Sequence, residues 1–274
     1  MRILKQAFLL GILLWLVACN SQKVTLRFHA LDPTELHFVL ESQMKLIVDN
    51  GDSVDALGSN LQVLFHSTPV VNYDDGSARI QIQADSVSYR STQRSVEECL
   101  HVERLLLQEG FQFKMAQDGM MQDIRTDGFF PDLERTDIDF QRLVLKVQPI
   151  LPTGEVSLGD TWERQQLVGE GPENRAYVYK WFQLEDLYQR EGKQLAKLRM
   201  NIKYRLDSAT TGLRIRDPDF ILGSGIILFN VTEGQLEEVS LEIDGSLNVL
   251  SPKIMDSLPT MQVRQVLHLW RSRP

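Results

Sequence analysis

The chain has 274 residues, 43% of them hydrophobic and 24% charged, a composition that fits a globular fold and excludes a disordered one. Its formal charge of −8 argues against a nucleic-acid partner, because phosphate binding needs clustered positive charge. A chain of this length buries a sizeable core without disulfides or structural metal, as one large domain or two small ones.

The first residues carry a short positive region, Arg2 and Lys5, followed by the uninterrupted apolar run 7–17. That run is about eleven residues long, the length of a signal-peptide core and too short for a spanning helix. It ends in Leu16-Val17-Ala18-Cys19. In this order the features resemble the lipobox of bacterial lipoproteins. The resemblance implies cleavage by signal peptidase II between Ala18 and Cys19, diacylglycerol on the Cys19 thiol and an acylated new amino terminus. Residues 1–18 are then signal peptide and 19–24 a lipidated tether.

Removing Arg2 and Lys5 from 29 basic residues, against 37 acidic ones, takes the charge to −10. Such a domain offers no basic patch to anionic headgroups. Lipid chains, at about 0.8 kcal/mol per buried CH₂, supply the membrane attachment instead. Asn20 stands where the enterobacterial inner-membrane retention signal has Asp, which by the same resemblance implies the outer membrane, facing the periplasm.

Beyond the tether the dominant signal is period-two alternation, the mark of half-buried strands in antiparallel sheets. Tyr73-Asp74-Asp75-Gly76 is a turn before the alternating stretch 79–89, whose phase changes near Asp85-Ser86 and predicts a bulge or bend. Residues 97–108 read as a helix or a strand; as a helix, Leu100 and Leu107, with Val96 and Glu103, would share one side. Cys99 is the one cysteine left after Cys19, so no intramolecular disulfide forms, and it reads as a buried small hydrophobe. A short helix is predicted over 139–149, stopped by Pro149 and Pro152. Further strands are predicted at 198–206, through Val239, Leu241 and Ile243 before Gly245, and at 263–270.

A weak internal repeat joins Gly110-Phe111-Gln112-Phe113 through Asp118-Gly119 to Gly225-Ile226-Ile227-Leu228 through Glu233-Gly234. Each is a glycine, an apolar strand, an acid-Gly turn and a return strand. Between them lies the Pro/Gly-rich junction 151–162, ending Gly159-Asp160-Thr161-Trp162. The expected fold is mainly β: antiparallel curved sheets in two similar halves, 25–150 and 151–274, with one or two short helices. These halves form two domains or one continuous one. With the lipobox, this pattern resembles an uncharacterised lipoprotein family of duplicated β-sheet type, and the resemblance implies architecture alone.

Chemistry-bearing motifs are scarce. His29, His37, His66, His101 and His268 are scattered, with no HExxH and no Cys-x-x-Cys. His101 and Glu103 would share a face on a strand, without two further zinc ligands. Gly223-Ser224-Gly225 is not a nucleophile elbow and reads as a bend or bulge. The acid clusters Asp74-Asp75, Asp137/Asp139 and Asp217/Asp219 read as turns, and Trp162, Trp181 and Trp270 as core or its cap. No catalytic residue, metal site or cofactor is assigned. The expected function is a non-enzymatic envelope lipoprotein that binds an apolar ligand or lipid. The alternative is a structural or assembly subunit that binds another envelope protein; an enzyme has no local support.

Overall fold

The alternating stretches fold as long antiparallel strands. A computed structural model describes residues 23–29, 35–49, 51, 53–108, 110–126, 139–168, 176–206, 220–248 and 260–272. The elements in chain order are β1 (Val24–Thr25), β2 (Leu36–Asp49), β3 (Val54–Asn72), β4 (Ala78–Ser91), α1 (Val96–Gln108), β5 (Gly110–Met115), β6 (Met121–Thr126) and α2 (Phe140–Val147). The second half adds β7 (Glu155–Val156), β8 (Thr161–Val168), β9 (Ala176–Arg190), β10 (Lys193–Leu206), β11 (Phe220–Asn230), β12 (Gln235–Asn248) and β13 (Thr260–Ser272).

Eleven strands form one antiparallel sheet in the order β6-β5-β4-β3-β2-β13-β12-β11-β10-β9-β8, and β1 pairs with β7 separately. Strands β2 to β6 and strands β8 to β13 therefore occupy opposite sides of one sheet, joined where β2 pairs with β13. Among the described residues the protein is mainly β, with two short helices.

The sheet is rolled, and two contacts of α2 show it. Neighbouring strands lie about 4.8 Å apart, so β5 and β9, eight steps apart in the order, would be separated by about 38 Å in a flat sheet. An eight-residue helix is only about 12 Å long. Yet Phe140 of α2 meets Phe111 of β5 at 5.8 Å between ring centroids. Lys180 of β9 donates to the carbonyl of Leu145 in the same helix at 2.8 Å. The inner face curls around α2, which fills the middle of the concavity. Leu40, Val63, Phe65, Leu198, Val239 and Leu267 lie in the resulting core, each no more than 2% exposed.

Both helices are specified at their starts. Ser95 and Glu98 exchange bonds, Glu98 N–H to Ser95 Oγ at 3.2 Å and Ser95 N–H to Glu98 Oε2 at 2.7 Å, which is a capping box. Asp139 caps α2 by accepting from Arg142 N–H at 2.8 Å, and Pro149 follows its last turn. The side that Leu100 and Leu107 share on α1 is not the one that faces the core. Cys99, Val102 and Leu106 are buried, whereas Val96, Leu100 and Leu107 are exposed. The i, i+3, i+7 stripe of Cys99, Val102 and Leu106 faces the core, and beside it Glu103 accepts the Tyr89 N–H of β4 at 2.8 Å, which ties the helix to the sheet in that orientation.

The bulge expected near Asp85-Ser86 is present: the β3–β4 register shifts between Leu64 and Phe65, leaving Asp85 without a cross-strand partner. Gly223-Ser224-Gly225 does not bend the chain as expected. It sits in unbroken register, and the β11–β12 shift falls at Leu228/Phe229 instead. The glycine is there for space, since a Cβ on Gly225 would lie 2.3 Å from the Ser240 carbonyl oxygen.

Candidate functional site

The residues that alternate inward decide what the concavity can hold. At the rim near the β5–β6 and β11–β12 turns the inward side chains are apolar. They enclose a cavity of about 90 Å³ whose walls include Phe38, Phe65, Ile80, Phe113, Val144 and Val147. Polar atoms are few. Ser67, Gln148 and Gln235 edge the space, and Gln235 Oε1 is buried without a hydrogen-bond partner. A water needs roughly 10–15 Å³ of such space, so the cavity has room for about six to nine heavy atoms. That is a stretch of one acyl chain rather than a whole lipid.

Residues 23–29 cross this rim. Their alternation buries Val24, Leu26 and Phe28 and exposes Lys23, Thr25, Arg27 and His29. Phe28 packs edge-on against Phe229 at 5.1 Å, and Phe28 and His29 line the cavity.

Toward the opposite rim the inner face turns polar. Lys180 is 1% exposed and donates to the Leu145 carbonyl at 2.8 Å and the Gln148 carbonyl at 2.9 Å, satisfying groups left open at the end of α2. Burial pushes its amine down to about 7. Lys146 turns inward to Gln265 Oε1 at 2.8 Å, and Gln265 donates on to Ser42 at 3.0 Å. Burial lowers the Lys146 amine to about 8, with Asp139 opposing the shift and Arg142 adding to it. Sequence reading missed both lysines. The available signal was phase: Lys180 sits on the same alternation as Val178, Phe182 and Leu184, and Gln265 on that of Leu267 and Leu269.

The sequence-predicted site residues fall elsewhere. Ala18, Cys19, the signal peptide 1–18 and residues 19–22 of the tether lie outside the described residues, as do Asp137, Asp217 and Asp219. Within the tether span, Lys23 is exposed and Val24 is buried in β1. Cys99 is a free, buried thiol. His101 is exposed on α1 while Glu103 turns to Arg90 at 2.9 Å, so the two do not act together. His66 and Asp85 pair on the outer face at 2.7 Å, with His37 3.7 Å from the same carboxylate. Among the described residues no three His, Cys, Asp or Glu are placed to hold a metal ion, and no helix is long and apolar enough to cross a membrane. Trp162 joins the core, stacked on Phe182 at 5.5 Å, whereas Trp181 and Trp270 lie on the outer face beside Tyr179 and His268.

No family model matches the chain, and no curated protein matches it. Among solved structures it is similar to DynF from the dynemicin biosynthesis pathway of Micromonospora chersina, at 8% identity, covering 93% of this chain and 88% of that one with a TM-score of 0.22. It is also similar to a candidate outer membrane lipoprotein-sorting protein domain from Vibrio parahaemolyticus, at 10% identity, covering 86% and 83% with a TM-score of 0.22. At that score neither likeness transfers a function to this chain.

Proposed function

We propose that this is a non-enzymatic lipoprotein of the bacterial envelope, anchored through Cys19, whose rolled sheet holds an apolar ligand or one acyl chain of a lipid. The observation that carries the reading is the apolar cavity between α2, residues 28–29 and the inner face of β2 to β5. Filling it with about seven methylenes gains roughly 6 kcal/mol before the cost of association. Even with no such cost that gain corresponds to a Kd of about 40 μM, so the binding is weak and exchangeable, in the millimolar range. The anchor supports the same reading by geometry. Five residue steps separate Cys19 from Val24, a reach of at most about 17 Å, so the folded body stays close to the bilayer surface.

Two measurements test this. The protein is recovered from its native envelope and its extractable lipid quantified by mass spectrometry; a reproducible near-stoichiometric apolar molecule is expected. A stoichiometric protein partner with no such molecule would favour the assembly subunit, for which β6 and β8, the edges of the sheet among the described residues, offer strand-addition surfaces. For the anchor, Cys19→Ala is expected to abolish acyl incorporation and release the protein from membranes, and an unchanged lipidated product would refute it.

A further inference from the structure

The side of α2 turned away from the apolar cavity closes a second recess, of about 40 Å³. Its polar walls are Arg142, Lys146, Lys180, Tyr204 and Gln166. Val144, Val147 and Gln148 face the first cavity and Arg142, Leu145 and Lys146 the second, as the 100° step of a helix requires.

The recess is rich in unspent donors. Tyr204 Oη is buried and makes no hydrogen bond. When protonated, Lys180 spends two of its three ammonium donors on the Leu145 and Gln148 carbonyls, and Lys146 spends one on Gln265. Arg142 pairs through Nε with Asp139 at 2.9 Å, at the mouth, and its remaining guanidinium donors are not engaged by that pair. Among the described residues no carboxylate lines the recess. A buried hydroxyl without a partner costs about 1–3 kcal/mol, and buried cations without an anion cost more. In a protein of net charge −8, two inward-turned lysine amines and the Arg142 guanidinium around one unpartnered hydroxyl make a cradle for an acceptor, whose negative charge would hold the protons on both lysines.

Size narrows the acceptor. At roughly 10–15 Å³ per water-sized atom the recess holds about three heavy atoms. A carboxylate has three; a phosphate has five. We propose that this recess binds a carboxylate, with Tyr204 and Lys146 donating to its oxygens and Lys180 and Arg142 supplying charge. The site lies apart from the apolar cavity and does not rest on the apolar-ligand reading.

The test titrates the full-length protein with [1-¹³C]acetate and, separately, [1-¹³C]decanoate, following the carboxyl resonance by NMR. Saturable binding of at least one acid is expected, weakened at least fivefold by Tyr204→Phe and by Lys146→Met. Tyr204→Phe removes only an unpartnered hydroxyl, so its unfolding midpoint should not fall. Equal binding of both acids identifies a small free acid, and binding of decanoate alone identifies the acid end of an amphiphile; either supports the site. Decanol, which fills apolar space without a carboxylate, should not displace acetate. The proposal is overturned if neither acid saturates, if both variants bind as wild type, or if inorganic phosphate displaces acetate at equal concentration. Loss of decanol binding to the apolar cavity would count against the apolar-ligand reading alone.

Discussion

The backbone N–H of His29 donates to the carbonyl of Gly234 at 3.0 Å, and one residue earlier Phe28 N–H donates to the carbonyl of Gln117 at 2.8 Å. Gln117 belongs to the β5–β6 turn and Gly234 to the β11–β12 turn, about six strand spacings or roughly 29 Å apart in a flat sheet. Two consecutive residues thus tie together turns that only a rolled sheet brings near one another. These are also the two turns of the internal repeat. Each places a glycine at positive φ, Gly119 at 84° and Gly234 at 62°, against the same short segment.

A side chain at this junction should loosen the rim. A Cβ on Gly234 would sit 2.4 Å from His29 Cγ and 2.7 Å from His29 N, in addition to the left-handed backbone penalty. Gly234→Ala is expected to cost roughly 2–4 kcal/mol, strain and overpacking together. Gly192→Ala is the control. Its φ is 79° with nothing within 4 Å, so only the backbone part, about 1–2 kcal/mol, should appear. Urea unfolding of both variants checks the difference; equal losses would mean that contact with His29 contributes nothing.

Filling the apolar cavity should separate ligand binding from folding. Val144 points into it from α2, next to Val147. Val144→Phe is expected to lower the affinity for a medium-chain alcohol at least tenfold while changing stability by no more than about 1–3 kcal/mol in either direction. Calorimetric titration with decanol, alongside circular dichroism, reads both. Retained affinity would move the ligand elsewhere.

Phe140 holds α2 to the sheet. It is fully buried, edge-on to Phe65 at 5.5 Å and to Phe111 at 5.8 Å. Phe140→Ala should therefore destabilise by about 3–5 kcal/mol. Asp139→Ala, which removes only the cap bond to Arg142, should cost about 1 kcal/mol. A midpoint shift of that relative size in urea, at constant slope, is the expected result.

The strands and turns were legible because alternation and Gly-acid turns are local. The stretches 79–89, 198–206 and 263–270 and the turn glycines 76, 119 and 234 all stand where their patterns place them. The inward side of α1 was not legible. Hydrophobicity does not separate the two sides, since each carries leucine and valine; Cys99, Val102 and Leu106 are the ones buried, and the bond from Tyr89 N–H to Glu103 that ties the helix to β4 is a tertiary contact with no local trace. The site was hidden for a related reason. Its cavity lies between strands far apart in sequence, and its lysines are revealed only when the sheet rolls them against α2. A lysine on the inward phase of a strand, as at Lys180, was the readable trace.

That lysine gives the sharpest pH prediction. The Lys180 amine is held down to about 7 by burial, against an ordinary value of 10.5. Between those limits the unfolded chain carries a proton there that the folded chain lacks. Stability from this group therefore rises with pH from about 7 to 10.5 and is lost as pH falls toward 7. One full proton is worth about 1.4 kcal/mol per pH unit. Arg164 sits opposite on β8, and Lys146, Arg142 and Tyr204 face the same recess. Burial lowers the Lys146 amine as well and raises the Tyr204 hydroxyl, so wild type alone would report several groups at once. Lys180→Met isolates the one. From pH 7.5 to 9.5 wild type should gain roughly 2 kcal/mol relative to Lys180→Met, measured by urea unfolding at each pH. A parallel pH dependence in the two proteins would mean that Lys180 keeps its proton in the folded state, its charge carried by the Leu145 and Gln148 carbonyls alone.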